Sequence, residues 1–409
     1  MTPARHLEPT GLLASVAARR ILQSLMRTGR EARYVGGCVR DLVLGVQAQD
    51  VDIATPLPPE EALKRLKADG IRTVPTGLKH GTVTAILDGR SFEITTLRRD
   101  VETDGRHARV EFTDDWVEDA RRRDFTFNAM SLSPDGDLYD PFQGLRDLEA
   151  GKVRFVGEAR ERIQEDVLRI LRYFRFHARL GKGPPDPVAL DACAEFAHLL
   201  PNLSGERVNA EVARLLQTDR AVEVWRLMID RGIVAQLLPQ AVRIDRLAAI
   251  DRLEWMVGEG DSLLHLAALL PRGEAAAMAV AERLRLSNNQ RDRLLTLCAP
   301  PVDVHPELSV TARRAALQKV GPETYRDLLL LAAADHGVPA FQILEPLAEA
   351  AAWRLIPFPI RGQDMLDRGV PPGPEVGRLM AELEGWWAAR DFRPGRDECL
   401  AELERRLAR

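Results

Sequence analysis

The sequence predicts a mixed α/β head followed by an extended part that is almost wholly helical. Three observations support this fold class. A strand–helix–strand pattern occupies residues 34–53, short strands with a hairpin signal fill residues 71–97, and helical periodicity dominates from about residue 186. Glycine and proline cluster at residues 181–185, which marks a break between the two parts. A chain of 409 residues is long enough for two or three domains.

The strand–helix–strand segment begins with a short strand that ends before Gly36-Gly37, and an amphipathic helix follows. Its second strand is predicted to carry Asp50 and Asp52. Side chains two residues apart in a strand point the same way, so these carboxylates should project together. With no Lys or Arg between them they repel each other unless a cation intervenes, and oxygen ligands suit a hard ion such as Mg²⁺.

The turn at Gly36-Gly37 complements the two carboxylates, because free N–H groups at a helix N-terminus can hold phosphate. Each half has an ordinary structural explanation. Glycine pairs before helices are common, and an Asp-X-Asp segment is more often a solvated strand end. Their occurrence in one unit favours phosphoryl or nucleotidyl transfer, which also calls for a third carboxylate.

A helix over residues 59–69 comes next, followed by strands at 71–74, 82–87 and 91–97. Asp88-Gly89 between the last two strands is a strong hairpin signal. Glu93 lies on the last strand. A charged residue in an apolar strand usually faces solvent, but this hairpin should neighbour the Asp50–Asp52 strand in a compact sheet. Glu93 is therefore the candidate third carboxylate.

Residues 98–115 are rich in charged side chains and poor in apolar ones, which predicts a mobile polar loop followed by a helix over 117–123. The loop is either a solvated surface segment or a gate over a nucleotide site. The arginines at 122 and 123 lie among apolar neighbours, so they need anionic partners.

Residues 151–182 are strongly basic, and the pattern from Glu165 to Phe176 predicts a single helix. Its arginines at 169, 172 and 175 recur every third residue and fan across one side of that helix. A salt-bridged amphipathic helix would explain this pattern. Few acidic residues share the same arc, so an anion-binding site is a competing explanation.

Composition excludes several classes of protein. The net charge of −4 argues against a globally basic nucleic-acid coat, so an RNA partner would have to be held by local basic patches. The four cysteines are scattered, which argues against a disulfide framework or a zinc cluster. No apolar run reaches membrane-spanning length and no signal peptide is evident, so a cytoplasmic location without membrane association is expected.

Four ordered motifs resemble those of the class II tRNA nucleotidyltransferases, the CCA-adding enzymes, and bacterial poly(A) polymerases share most of them. The similarity is continuous over about residues 30–215 and weaker beyond. The motifs are Gly36-Gly37-Cys-Val-Arg40-Asp41, Asp50-Val-Asp52-Ile, Arg122-Arg123-Asp124-Phe-Thr-Phe-Asn128-Ala and Glu165-Asp166-Val-Leu-Arg169.

The resemblance implies an α+β fold, with a nucleotidyltransferase head of the polymerase-beta type over residues 1–150. A helical neck with a base-reading helix would span 151–230, and a helical body and tail that bind tRNA would span 231–409. The implied activity is addition of C, C and A to the tRNA 3′ end from CTP and ATP, with release of pyrophosphate. The resemblance implies that this addition uses no nucleic-acid template. The implied partners are the tRNA acceptor end, CTP and ATP.

The resemblance also assigns roles residue by residue. Asp50 and Asp52 match the metal-binding carboxylates, with Mg²⁺ as the cofactor, and Glu93 fits a third catalytic carboxylate within a looser pattern. The remaining matches are nucleotide contacts: Gly37 and Arg40 for the triphosphate, Arg123, Asp124 near the ribose, Asp166 and Arg169 for the base, and Arg172 and Arg175.

Three alternatives stay open. A poly(A) polymerase would share the fold and metals, but residues 75–83 resemble the CCA-adding group, with a structural role expected for His80. In a split pathway separate enzymes add CC and A. The polar segment 98–106 favours full CCA addition but does not exclude an A-adding enzyme. A non-catalytic RNA-binding protein should have lost a carboxylate, and all three are present. No His-Asp doublet occurs, so phosphohydrolase activity is not expected.

Overall fold

The computed structural model describes residues 1–27, 29–78, 81–103, 108–258 and 260–408. The chain divides into two compact units, Met1–Leu237 and Leu238–Arg409. The predicted boundary at residue 150 between head and neck falls inside the first unit and stays a prediction. The predictions that concern His80, Asp104, Gly105 and Arg106 lie outside the described residues.

Ten strands are found among the described residues, all in the first unit. Eight of them form one sheet in the order β1-β10-β9-β2-β3-β6-β5-β4, and β7 and β8 pair separately. The strands are β1 (Arg5–His6), β2 (Arg33–Val35), β3 (Val51–Thr55), β4 (Arg72–Gly77), β5 (Thr82–Leu87), β6 (Arg90–Thr96), β7 (Arg98–Thr103), β8 (Ala108–Phe112), β9 (Ser131–Leu132) and β10 (Asp137–Tyr139).

The parallel pair β3 and β6 lies inside the sheet, next to its centre. Asp52 lies opposite Glu93 in their register, so the predicted proximity of these two strands is confirmed. The predicted hairpin at Asp88-Gly89 is also confirmed: β5 and β6 are antiparallel, and both turn residues have positive φ, 53° and 73°. Helices α1 (Val16–Met26) and α3 (Pro59–Ala68) pack against each other, and α3 also contacts β4 and β5.

The prediction of a mobile polar loop at 98–115 is wrong for most of that segment. The structure has an antiparallel ribbon there, in which Arg98 pairs with Phe112 and Arg99 with Glu111. The Arg99 guanidinium donates to the Glu111 carboxylate at 2.9 Å across the ribbon. A strand is usually recognised in a sequence by alternating apolar residues. In this ribbon cross-strand ion pairs stand in their place, so the sequence carried no hydrophobic pattern that predicts strands.

A second prediction, of one continuous helix in the basic segment of the first unit, is wrong. The helix predicted to run from Glu165 to Phe176 is broken at Asp166, whose backbone is extended (φ −153°, ψ 103°). The helices of this unit other than α1 and α3 are α2 (Gly37–Val43), α4 (Trp116–Arg121), α5 (Gly144–Glu149), α6 (Ala159–Glu165), α7 (Leu168–Leu180), α8 (Pro187–Glu195), α9 (Gly205–Leu216), α10 (Ala221–Asp230) and α11 (Ile233–Leu237).

The second unit is helical throughout its regular elements, as predicted. Near its end a separate apolar cluster forms around Leu383, Trp387 and Leu403. The helices are α12 (Ile244–Val257), α13 (Ser262–Leu269), α14 (Glu274–Arg283), α15 (Asn288–Cys298), α16 (Val310–Val320), α17 (Pro322–His336), α18 (Leu344–Ala352), α19 (Gly362–Leu366), α20 (Pro374–Ala388) and α21 (Arg396–Leu407).

Gly144, the first residue of α5, allows this helix to lie directly on the turn at residues 126–128. A Cβ atom at Gly144 would lie 2.2 Å from the Thr126 carbonyl oxygen and 2.8 Å from the Phe127 Cα. We therefore expect Gly144→Ala to destabilise the first unit by roughly 3 kcal/mol, since backbone must move to admit the methyl group. The measurement is calorimetric unfolding of the wild-type and variant proteins.

Gly385→Ala is the matched control for Gly144→Ala. Gly385 is exposed within α20, and a Cβ there would meet nothing within 4 Å. Alanine is favoured over glycine inside a helix by about 1 kcal/mol, so this variant should be slightly stabilised. An unchanged unfolding temperature for Gly144→Ala would contradict the close contact between α5 and the turn.

Candidate active site

The turn before α2 brings a carboxylate and an arginine together. Gly36 has φ 73° and ψ −129°, a conformation that favours glycine. A Cβ atom at this position would lie 3.1 Å from Arg123 Nη1 and 3.7 Å from Asp52 Oδ2. At the next residue, Gly37, a Cβ would lie 3.6 Å from Arg40 Nη2. The two glycines therefore leave an open space bordered by Asp52, Arg40 and Arg123.

The three predicted carboxylates lie at neighbouring strands, with one correction. Strand β3 begins at Val51, so Asp50 precedes the strand instead of lying on it. Asp50 and Glu93 are exposed and Asp52 is half-buried. The described residues contain no cluster of three or more His, Cys, Asp or Glu side chains placed to hold a metal ion.

Burial and neighbouring carboxylates perturb the pKa of Asp52. Burial raises its pKa to about 6, with further contributions from the carboxylates of Glu93 and Asp50, and the Arg123 guanidinium opposes them. Among the described residues no ion pair to Asp52 is formed within 4 Å. Asp50, Asp52 and Glu93 thus gather negative charge that Arg123 only partly offsets, which is the arrangement expected where a cation and phosphates bind.

A hydrogen-bonded chain connects α2 to α7 through the buried Asp124. One Asp124 oxygen accepts from Arg172 Nε at 2.7 Å, and the other accepts from Asn128 Nδ2 at 2.9 Å. Asn128 Oδ1 in turn accepts from Arg40 Nη1 at 3.0 Å. Burial acts to raise the pKa of Asp124, but Arg172 and Asn128 outweigh it and the pKa is lowered. Asp124 is therefore an ionised anchor for the arginines of the site.

Glu211 on α9 is a second buried anchor, and sequence reasoning missed it. Its carboxylate accepts a hydrogen bond from Arg175 Nε at 2.5 Å, and it lies 3.8 Å from the guanidinium groups of both Arg172 and Arg214. The sequence did carry a signal for it: Glu211 falls on the same apolar face of α9 as Val208 and Val212, where a carboxylate would be buried. A buried carboxylate requires cationic partners, and the arginines of α7 are those partners.

The predicted base-reading pair lies at the break between α6 and α7. Asp166 accepts from the Leu168 backbone N–H at 3.1 Å and from Arg207 Nη2 at 2.7 Å. Arg169 donates to Glu165 at 2.6 Å and to the backbone carbonyl of Arg122 at 2.9 Å. Both side chains are thus oriented by neighbours, and Arg207 is a further residue that sequence reasoning missed.

One cavity of about 760 Å³ gathers these groups. Its lining includes nine arginines and five aspartates, so it favours an anionic ligand. All the predicted site residues line it except Glu93, which lies beside it on β6. The predicted residues in the lining are Gly37, Arg40, Asp50, Asp52, Arg123, Asp124, Asp166, Arg169, Arg172 and Arg175.

Comparison with known proteins identifies the family. Residues 32–154 match the poly(A) polymerase head domain, and residues 185–244 match a probable RNA- and SrmB-binding site of polymerase A. The mitochondrial CCA tRNA nucleotidyltransferase 1 of Mus musculus is 36% identical over 395 residues, covering 93% of this chain and 88% of the relative. The chain belongs to the tRNA nucleotidyltransferase family.

Two further members support the assignment. The CCA-adding enzyme of Latilactobacillus sakei is 33% identical over 371 residues, covering 89% of this chain and 91% of that enzyme. The crystal structure of the Bacillus stearothermophilus CCA-adding enzyme in complex with CTP superposes with a TM-score of 0.79 at 28% identity, covering 95% and 96% of the two chains. The resemblance inferred from the four motifs is confirmed, together with the α+β fold of the tRNA nucleotidyltransferases.

Within the described part of this tRNA nucleotidyltransferase, no helix is both long and apolar enough to cross a membrane. Relatives from animals have mitochondrial names, whereas the lactobacillar ones do not. The cytoplasmic location expected from the sequence therefore stays a prediction.

From the raised pKa of Asp52 we predict how the free energy of unfolding of the metal-free protein changes with pH. The folded state keeps the Asp52 proton up to about pH 6, whereas an unfolded aspartate has lost it above about pH 4. The ionised carboxylate therefore lowers the free energy of unfolding as pH rises through this window. In EDTA, Asp52→Asn should be more stable than wild type at pH 7.5 by about 1–3 kcal/mol.

The measurement is the difference in unfolding free energy between variant and wild type from pH 4 to 8. This difference should grow up to about pH 6 and then level off. Asp50→Asn, at an exposed position, is the control and should give a smaller difference. A flat difference for Asp52→Asn across this range would contradict the perturbed carboxylate.

Proposed function

We propose that this protein adds C, C and A to the 3′ end of tRNA from CTP and ATP, releasing pyrophosphate, without a nucleic-acid template. The observation that carries this proposal is the cavity itself. Asp50, Asp52 and the neighbouring Glu93 form what we call its carboxylate end. Nine arginines line the cavity, and Asp166 and Arg169 are held in fixed orientations. Membership of the tRNA nucleotidyltransferase family supports this assignment.

The carboxylate end suits Mg²⁺, a hard cation that proteins bind through one or two carboxylates together with substrate phosphates. Asp50 and Asp52 would hold it, and Glu93 opposite Asp52 is the proposed third carboxylate. The repulsion at Asp52 and its lack of an ion pair among the described residues fit a cation. When bound, Mg²⁺ would lower the pKa of the attacking hydroxyl and neutralise charge on the leaving pyrophosphate.

In the proposed reaction the 3′-hydroxyl group of the RNA gives up its proton, which passes to solvent, and its oxygen bonds to the α-phosphorus of the nucleotide. The bond between the α-phosphorus and the bridging oxygen breaks, and pyrophosphate leaves with that oxygen. Arg40 and Arg123 border the Gly36-Gly37 turn and would bind the triphosphate. Arg40 is held by Asp41 and Asn128 before any ligand arrives, so little ordering is needed on binding.

Base choice is proposed to rest on Asp166 and Arg169. A carboxylate accepts from the exocyclic amine of either C or A, and a guanidinium donates to a ring acceptor on the same edge. G and U present the opposite donors and acceptors, so a fixed pair rejects both. Arg207 holds one Asp166 oxygen, and Glu165 holds Arg169, which supports the fixed geometry.

The decisive experiment supplies purified protein with tRNA that ends at the discriminator base, at C or at CC, together with labelled CTP or ATP. We expect CTP incorporation into the first two substrates and ATP incorporation into the third. Incorporation of ATP alone would assign the protein to a split pathway. Long tracts of A on unstructured RNA would identify a poly(A) polymerase, whose head domain shares the family.

The base-reading role makes a selectivity prediction. Asp166→Ala deletes the acceptor that a keto base cannot satisfy, so we expect incorporation of UTP and GTP relative to CTP to rise roughly tenfold or more as the overall rate falls. The measurement is single-nucleotide addition to tRNA ending at the discriminator base, with each of the four triphosphates in turn.

Asp191→Ala is the matched control, because Asp191 is an exposed aspartate of α8 that also pairs with an arginine, Arg231 at 3.0 Å. It should leave the CTP-to-UTP ratio unchanged. If Asp166→Ala behaves like Asp191→Ala in a folded protein, Asp166 does not read the base.

A further inference from the structure

A second groove, of about 630 Å³, adjoins the arginine-lined cavity at the carboxylate end. The two share Gln47, Gln49 and Asp50 in their linings. The second groove is lined by the segment before α1, by residues 47–50 and by the β5–β6 turn with the start of β6; Ser15 and Ser91 belong to the first and last of these. Asp50 therefore stands at the junction of two spaces.

The register of the sheet explains this placement. Val51 pairs with Phe92 in the parallel pair β3 and β6, so Asp50 and Ser91 each precede that pair by one residue. Neighbouring strands lie about 4.8 Å apart, which puts Ser91 beside Asp50 at the same edge of the sheet. The positive-φ turn at Asp88-Gly89 then presents Arg90 at the rim of the groove.

The chemical character of the two spaces differs sharply. Nine arginines line the first cavity, whereas Arg90 is the one arginine in the lining described for the second. Hydroxyls, amides and glycine backbone make up most of the remaining surface of the groove. Such a surface suits a ribose with a single backbone phosphate, and it lacks the positive charge that a triphosphate requires.

Reaction geometry requires two spaces of this kind. In phosphoryl transfer the attacking and leaving oxygens lie roughly in line, on opposite sides of the phosphorus. If the triphosphate fills the arginine-lined cavity, the attacking hydroxyl must approach past Asp50 from the other side. The second groove meets the arginine-lined cavity at Asp50 and has Ser15 and Ser91 in the rest of its lining.

We infer that this groove holds the 3′-terminal nucleotide of the acceptor RNA and that Arg90 contacts its backbone phosphate. The inference rests on the proposed function and adds a location and a residue for the RNA substrate. Arg90 is exposed, and no carboxylate among the described residues is paired with it, so its charge is available. Ser91 and the two glutamines provide hydrogen-bonding groups beside the terminal ribose.

The test uses Arg90→Gln, Arg90→Lys and the control Arg146→Gln, an exposed arginine of α5 outside both cavities. For Arg90→Gln we expect the KM for tRNA to rise roughly three- to tenfold, with the dissociation constant of CTP unchanged. The slope of log tRNA affinity against log salt should shrink by about 0.7–0.9, the value for one lost phosphate contact. Arg90→Lys should restore most of the affinity, and Arg146→Gln should match wild type.

Ser91→Tyr tests the groove by steric blockage, because Ser91 is exposed and its replacement leaves the core intact. We expect weaker tRNA binding with unchanged CTP binding. Unchanged tRNA affinity and salt slope in Arg90→Gln, or a loss confined to CTP, would overturn the inference. Failure of the proposed function is distinguishable, because the wild-type protein itself would then fail to add CC followed by A to tRNA.

Discussion

The buried carboxylate of Asp124 is the constraint on which the site depends. It accepts hydrogen bonds from Arg172 of α7 and from Asn128, and the Asn128 side-chain oxygen accepts one from Arg40 of α2. Removing one partner would leave an uncompensated charge in the interior, which costs far more than a surface ion pair. Helix α7, whose arginines are proposed to bind the nucleotide, is therefore fixed to the glycine turn before α2, and the two can act as one surface.

Charge is balanced differently in two parts of the cavity. The arginines are partly neutralised by buried carboxylates, whereas the carboxylates near Asp52 are not paired with arginines in the same way in the part of the chain that the structure describes. At the arginine end, Glu211 and Asp124 neutralise part of the positive charge and orient the rest. At the carboxylate end, the charges of Asp52 and Glu93 oppose each other without a neutralising ion pair to Asp52 among the described residues. The protein thus tolerates an unfavourable arrangement where a cation is proposed to bind, in line with the strain found at functional sites.

Much of the head could be predicted from sequence because its signals are local. Asp88-Gly89 specifies its own turn, and the adjacency of Glu93 to Asp52 follows from the hairpin and a compact sheet. The break at Asp166 was hidden, because a polar residue between two helical patterns continues the periodicity of both. Arg207 and Glu211 were also missed, since their partners lie 41 and 36 residues away and only the fold brings them together.

These missed residues support the proposal that Asp166 and Arg169 read the base without a nucleic-acid template. A guanidinium has five N–H donors in one plane, and Arg169 uses its Nη1 and Nη2 groups for Glu165 and for two backbone carbonyls. That plane is then fixed before a nucleotide arrives, and its remaining donors point in set directions. Arg207 does the same for Asp166 by occupying one carboxylate oxygen. Discrimination between bases requires this rigidity, because a side chain free to turn could satisfy a keto group as readily as an amine.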